Sequence, residues 1–161
     1  MEIIEYSEKY KEDVKELLVE LEEYIISIDE DDLDQLHEDY REKMIEVDLK
    51  RIKKENGKCF LAIENNHAIG LIMGVIPNYD EYDYLDYKCP KKGEIIELIV
   101  TKKVRNNGLG KLLINKMEDY FKENNCKIIK IEVFSYNKNA ISFYNNAGYH
   151  SRMITDIKII D

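Results

Sequence analysis

The chain has 161 residues, 44% hydrophobic and 35% charged, with a formal net charge of -9 at pH 7. That balance suits a folded globular protein, not a disordered one. The acidic excess argues against sequence-independent binding to nucleic acid or to an anionic membrane, both of which need a basic face.

Cys59, Cys89 and Cys126 lack C-x-x-C or Cys/His metal spacing, so a disulfide-free, metal-free chain is expected. The first residues are charged and lack an apolar signal region, and no apolar run is long enough to span a bilayer. The expectation is a cytoplasmic protein built as one domain over residues 1–161.

In chain order, Ile3–Tyr6 reads as a strand. Ser7 is a candidate cap for a helix in which Tyr10, Val14, Leu17, Leu18, Leu21 and Ile25 recur at the helical period. After the acidic break 29–34, a second helix is predicted with Leu33, Leu36, Tyr40, Met44 and Val47 on one face, ending near Asn56-Gly57. Lys58–Glu64 and His67–Ile76 read as strands joined by Asn65-Asn66, residues that tolerate the left-handed backbone of a tight hairpin. Residues 77–93 are irregular. Glu94–Thr101 is a strand, Leu109–Asn124 a helix, Lys127–Phe134 a strand, Asn139–Ala147 a short helix and Arg152–Ile160 a last strand. Pattern alone licenses a mixed α/β chain with a largely antiparallel sheet.

The stretch from Val100 to Leu113 (VTKKVRNNGLGKLL) carries the most chemical information. A strand breaks into a short basic turn with two glycines and resumes as an amphipathic helix. Backbone N–H groups, the positive end of a helix dipole and cationic side chains then surround one point, which suits a phosphate or pyrophosphate. Glycine there permits positive φ and close approach of an anion. A P-loop is excluded because Lys111 is followed by Leu112 instead of Ser or Thr, and position 105 is Arg. A Rossmann turn is excluded because position 113 is Leu.

The R-x-x-G-x-G formed by Arg105, Gly108 and Gly110, between a strand and a helix, resembles the acetyl-CoA pyrophosphate loop of the GNAT superfamily of N-acetyltransferases. A second block, Asn137-Lys-Asn-Ala140-Ile141-Ser-Phe143-Tyr144-Asn-Asn-Ala147-Gly148-Tyr149, resembles the family's N-x-x-A-[IV]-x-[FL]-Y-x-x-x-G-[FY] and lies one strand further on. The resemblance covers essentially the entire chain. It implies an α/β (α+β) fold with a mixed, largely antiparallel central sheet flanked by helices, in the order β-α-α-β-β-β-α-β-α-β. It also implies transfer of an acetyl group from acetyl-CoA to a primary amine by direct attack, without a metal, and a homodimer as in many similar proteins.

Residue by residue, the resemblance assigns the pyrophosphate to the backbone of Asn106, Asn107, Gly108, Leu109, Gly110 and Lys111, with Arg105 as charge partner. It assigns the pantetheine arm to the backbone of Leu98, Ile99 and Val100. Asn137 is expected at the cofactor, although a helix cap is its alternative reading. Tyr144 is expected near the CoA sulfur as a proton donor, since a phenol of pKa about 10 can serve a thiolate whose conjugate acid lies near ~8.5.

A general base is less well marked. Glu94 and Glu97 have opposite parity on one strand, which in a regular strand puts them on opposite faces. Glu97 lies deep in an apolar run, where burial would raise its pKa toward a useful value, and is preferred over Glu94. A water chain without any dedicated base is the alternative. His37, His67 and His150 show no ligand spacing.

For the acceptor, tyrosines and acids alternate across 78–93, and a second acidic group spans Asp29–Asp34 with Glu38 and Asp39. Both suit a small cationic amine through charge and cation–π attraction, or equally a solvated surface. A protein N-terminus or lysine is the rival acceptor, and a non-catalytic acyl-CoA sensor is the rival of another class.

Overall fold

The structure, a computed structural model, describes residues 1–105 and 107–160. Five strands form one sheet in the order β1-β2-β3-β4-β5: β1 (Glu2–Glu5), β2 (Lys58–Glu64), β3 (His67–Val75), β4 (Lys92–Val100) and β5 (Ile128–Ile131). Each neighbouring pair among the first four is antiparallel, and β5 runs parallel to β4. Asn65 and Asn66 carry φ of 49° and 64° in the β2–β3 hairpin, the twist that matches two flanking strands.

Helices α1 (Lys11–Ile28) and α2 (Tyr40–Lys54) cover one face, where Val14, Leu18 and Ile45 bury against Cys59, Leu61, Leu71 and Met73. A single helical turn, α3 (Asp83–Asp86), lies within the otherwise irregular 77–91 segment. The other face carries α4 (Leu109–Glu123) and α5 (Lys138–Asn146), with Leu113, Met117 and Phe121 packed on Phe60, Ala62 and Ile72. A Cβ at Gly93 would meet the Phe121 ring at 2.5 Å, so α4 lies this close to β4 only because that position lacks a side chain.

Four sequence expectations change. Helix α2 starts at Tyr40, not before Leu33. The Asp29 carboxylate accepts the backbone N–H groups of Asp31, Leu33 and Asp34, and such side-chain bonds compete with a helical ladder. The buried face of α2 consequently contains Met44, Ile45 and Asp48, while Val47 is 55% exposed. Ser7 precedes a short 3-10 turn at Glu8–Tyr10 and makes no side-chain cap bond.

The expected strand Arg152–Ile160 is not formed, and its apolar residues Met153, Ile154, Ile157, Ile159 and Ile160 are exposed. Apolar alternation becomes a strand only where a neighbouring backbone completes the ladder. Finally, the register of β3 against β4 shifts at Gly74: Ile95 faces Gly74 and Glu97 faces Met73, leaving Ile96 as a bulge. A bulge reverses the alternation of faces.

Candidate active site

Strands β4 and β5 are paired only from Lys92/Ile128 to Ile95/Ile131, although β4 continues to Val100. Beyond that point they part, and a cleft of about 380 Å³ opens between them. Glu97, Leu98, Asn137 and Tyr144 line it, as do Tyr40 and Met44 from α2. One strand edge is thus left without its neighbour next to a titratable pair.

Glu97 reaches this cleft because of the bulge. Without it Glu97 would share the side of Ile95, which buries against α4 and α5. With it, Glu97 sits on the α1/α2 side, in a cross-strand row with Met73 and Cys59. Burial pushes its carboxyl up to about 8, helped by the carboxylates of Asp48 and Glu22. Glu94 emerges on the same side, contrary to its expected opposite facing, and is held by the Arg51 guanidinium at 2.7 Å. Glu94 is therefore ion-paired, whereas Glu97 has no cationic partner among the described residues.

Tyr144 is buried on α5, with its ring edge-on to Phe143 and Tyr149. Burial, and secondarily Glu97, hold its phenol above the ordinary tyrosine range. It therefore stays protonated at neutral pH but is a weaker acid than an exposed phenol.

The basic turn sits at the end of β4. Gly108 has φ +82°, with nothing within 4 Å of where a Cβ would stand, and it directly precedes α4. A non-glycine residue would be strained in that backbone by about 1–2 kcal/mol. Gly110 has a different reason: a Cβ there would come 3.3 Å from Cζ of Phe143, on α5. The side chain of Asn107 accepts from the N–H of Leu109 at 3.1 Å. The next N–H groups, of Gly110 and Lys111, belong to the first turn and have no place in the helix's own ladder. Lys111 is exposed and Leu109 buried. Asn106 lies outside the described residues.

Arg105 does not project freely. Its Nε donates to the Val100 carbonyl at 2.9 Å, Nη2 lies 3.6 Å from Glu20, and the guanidinium stands 5.4 Å from the Tyr24 ring centre. Glu20 also accepts from the Thr101 hydroxyl and the Lys102 N–H at 2.8 and 2.7 Å, so α1 clamps the turn. Ile99 is buried toward α1 and Val100 packs toward α4. Asn137 caps α5 by accepting from the Ala140 N–H at 3.0 Å and meets the Tyr24 hydroxyl at 3.4 Å. Tyr24 thereby links the two sequence blocks.

The acceptor expectation divides. Asp34 lines the cleft, together with Glu22, Glu97 and Glu132, and no Lys, Arg or His does so among the described residues. No residue of 78–93 lines it. That segment folds on itself at the opposite end of β4, with the Tyr79 hydroxyl on the Pro90 carbonyl at 2.8 Å and Lys92 4.2 Å from the Tyr79 ring centre. Glu22 and Asp48 were not among the sequence candidates. Their signal was an acid within an apolar helical stripe: Glu22 between Leu18 and Ile25, Asp48 between Met44 and Ile52.

A profile described as the Acetyltransferase (GNAT) family matches residues 20–149. The chain belongs to the GNAT family. Human N-alpha-acetyltransferase 30 is 30% identical over 91 residues, which are 56% of this chain and 23% of that protein. The chain thus spans about a quarter of the length of the curated relatives it matches. Among solved structures, a tetramutant protein from Bacillus halodurans superposes with a TM-score of 0.84 at 18% identity, over 99% of this chain and 100% of that one. An aminoglycoside N-acetyltransferase in complex with CoA superposes with a TM-score of 0.67 at 14% identity, over 99% and 100%. At these identities the likeness shows the GNAT fold, a mixed five-stranded sheet with helices on both faces. No helix among the described residues is long and apolar enough to cross a membrane.

Proposed function

We propose that this GNAT chain transfers an acetyl group from acetyl-CoA to a primary amine in the cleft between β4 and β5. The observation that carries this reading is the parting of the two strands beyond Ile95 and Ile131, beside which Glu97 and Tyr144 line one space. Acetyl-CoA supplies the activated acyl group as a thioester, so the chain needs neither a metal nor a nucleophilic residue.

The turn suits the diphosphate of that carrier. Gly108 leaves open space beside the start of α4, and the N–H groups of Gly110 and Lys111 follow it. Leu98, Ile99 and Val100 offer the edge of β4 that β5 has left, for hydrogen bonds to the amides of the arm. Arg105 supports the turn by tying Val100 to α1, a narrower role than direct charge pairing.

The amine must lose a proton before it attacks. Glu97 is the proposed acceptor of that proton. With its carboxyl raised to about 8 it is largely protonated at pH 7, and the ionised fraction, which grows as pH approaches 8, acts as the base. Attack of the neutral amine at the carbonyl carbon forms the C–N bond, and collapse breaks the C–S bond, with the sulfur leaving as thiolate. The second proton shed by the amine nitrogen passes to that thiolate or to solvent, leaving a neutral amide and CoA. The Tyr144 hydroxyl donates a hydrogen bond to that sulfur. Its raised pKa favours hydrogen bonding over complete proton transfer.

The acceptor is a cationic amine of small size, because the space is about 380 Å³ and its charged lining is acidic throughout. Polyamines, aminoglycoside-like amines and amino acids fit that description. A protein N-terminus or lysine is the second reading, favoured by the likeness to an N-alpha-acetyltransferase. The exposed apolar residues of 153–160 support the expectation of a homodimer, and one acetyltransferase unit over 1–161 is the accompanying proposal.

Release of CoA thiol across a panel of amines and N-terminal peptides tests the proposal. Turnover with at least one acceptor is expected. Saturable acetyl-CoA binding without turnover on any of them would instead indicate the sensor.

A further inference from the structure

Helix α2 presents Tyr40, Met44, Asp48 and Arg51 at successive helical spacings along one stripe. Tyr40 and Met44 line the cleft beside Glu97, and Arg51 grips Glu94. Asp48 lies between those two anchors, so the helix geometry sets it over the part of β4 that separates Glu94 from Glu97. It is 4% exposed, and its Oδ2 has no hydrogen-bond partner.

The nearest cation on its own helix is already committed. Arg51 donates from Nε to Glu55 at 3.1 Å and from Nη2 to Glu94 at 2.7 Å. A buried, unpartnered carboxylate oxygen is costly, and such orphans call for an explanation.

We infer that Asp48 is a positioning residue for Glu97, its buried negative charge setting the pH at which the Glu97 carboxyl gives up or takes a proton. This rests on Glu97 being the base proposed above. Glu97 is faced by Glu22 from α1, by Tyr40 and Asp48 from α2 and by Tyr144 from α5, with Glu132 on the β5 side of the cleft. Asp48 is faced by Arg51 on its own helix and by Cys59 of β2. Burial pushes Asp48 up to about 6, against the opposing pull of Arg51. Above that pH it is charged, so its repulsion acts through the range in which Glu97 titrates. Glu22 adds to the same repulsion from the cleft wall, but only Asp48 is without solvent to screen it.

The test is a pH titration of the side-chain carboxyl carbons by carbon-13 NMR in the ligand-free protein. Wild type should show one glutamate resonance titrating near pH 8, and Glu97→Gln should remove it, which assigns it. Asp48→Asn should move its midpoint down by about one pH unit, the scale of one nearby charge at intermediate dielectric. Asp48→Ser serves if the asparagine does not fold. A midpoint unmoved in whichever variant folds overturns the role of Asp48 and leaves Glu97 as base untouched. Undiminished turnover in Glu97→Gln overturns the base assignment, whatever the midpoint does. A purely structural Asp48 would change the melting temperature without moving the resonance.

Discussion

Glu94 and Glu97 emerge on the same side of the sheet, although their odd separation in a regular strand would send them to opposite faces. The bulge at Ile96 makes the difference. Its consequence is a division of labour: Glu94 is neutralised by Arg51, while Glu97, beside Asp48 and Glu22, has no cationic partner among the described residues. Replacing Glu97 with Gln keeps the shape and removes the base. Turnover should fall by about 10²-fold or more, the usual contribution of a positioned acid or base, with little change in acetyl-CoA affinity. Steady-state kinetics with direct binding would show the split. An equal loss in Glu94→Gln would point to Arg51 and the helix–sheet contact instead.

The raised Glu97 carboxyl also makes stability fall with pH. Its folded pKa lies above the unfolded value, so the folded state binds the proton more tightly. The stabilisation is complete below the ordinary glutamate range and is lost as pH rises toward about 8. Asp48 adds a similar decline that ends near pH 6. Thermal melts should therefore show a falling midpoint between pH 5 and 8, on the order of a few kcal/mol in free energy. Glu97→Gln should flatten the upper part of that fall. A wild-type midpoint that rises over this interval would contradict the environment described for Glu97.

Tyr144→Phe keeps the ring packed against Phe143 and Tyr149 and removes only the hydroxyl. Turnover should drop by about tenfold to a hundredfold, the scale of a hydrogen bond to a charged atom, with acetyl-CoA affinity nearly unchanged. Unaltered turnover would restrict Tyr144 to packing.

The two glycines of the turn should respond differently. Gly108→Ala meets no neighbour but must hold φ +82°, so it should cost about 1–2 kcal/mol of stability and weaken acetyl-CoA binding. Gly110→Leu drives a side chain into Phe143 and should cost about 1–3 kcal/mol by overpacking. Calorimetric melts with and without acetyl-CoA separate the two effects.

Arg105→Ala removes the link from Val100 to Glu20 and Tyr24. Acetyl-CoA affinity should weaken by less than the ~1.5–3 kcal/mol of a direct hydrogen bond to a charged group, measurable by titration calorimetry. Unchanged affinity would remove Arg105 from the binding turn.

The sequence made the two motif blocks and the order of most elements legible, because positive-φ glycine, helix capping by Asn137 and apolar periodicity are local properties. Four features escaped it, each for a non-local reason. The bulge at Ile96 depends on register against β3, so parity alone misplaced Glu94. The start of α2 depends on the Asp29 side chain bonding forward to Leu33 and Asp34. The tail after Arg152 carries a strand pattern but pairs with no strand of the sheet. The acidic, tyrosine-rich 78–93 segment has the composition of an amine site yet lies at the far end of β4 from the cleft. Asp34, in the other acidic segment, does reach it.

A crystal structure of the complex with acetyl-CoA tests the central claim most directly. The account predicts the diphosphate on the N–H groups around Gly108–Lys111, the arm along Leu98–Val100, and the thioester between Glu97 and Tyr144. Acetyl-CoA bound elsewhere, or a thioester facing away from Glu97, would contradict it.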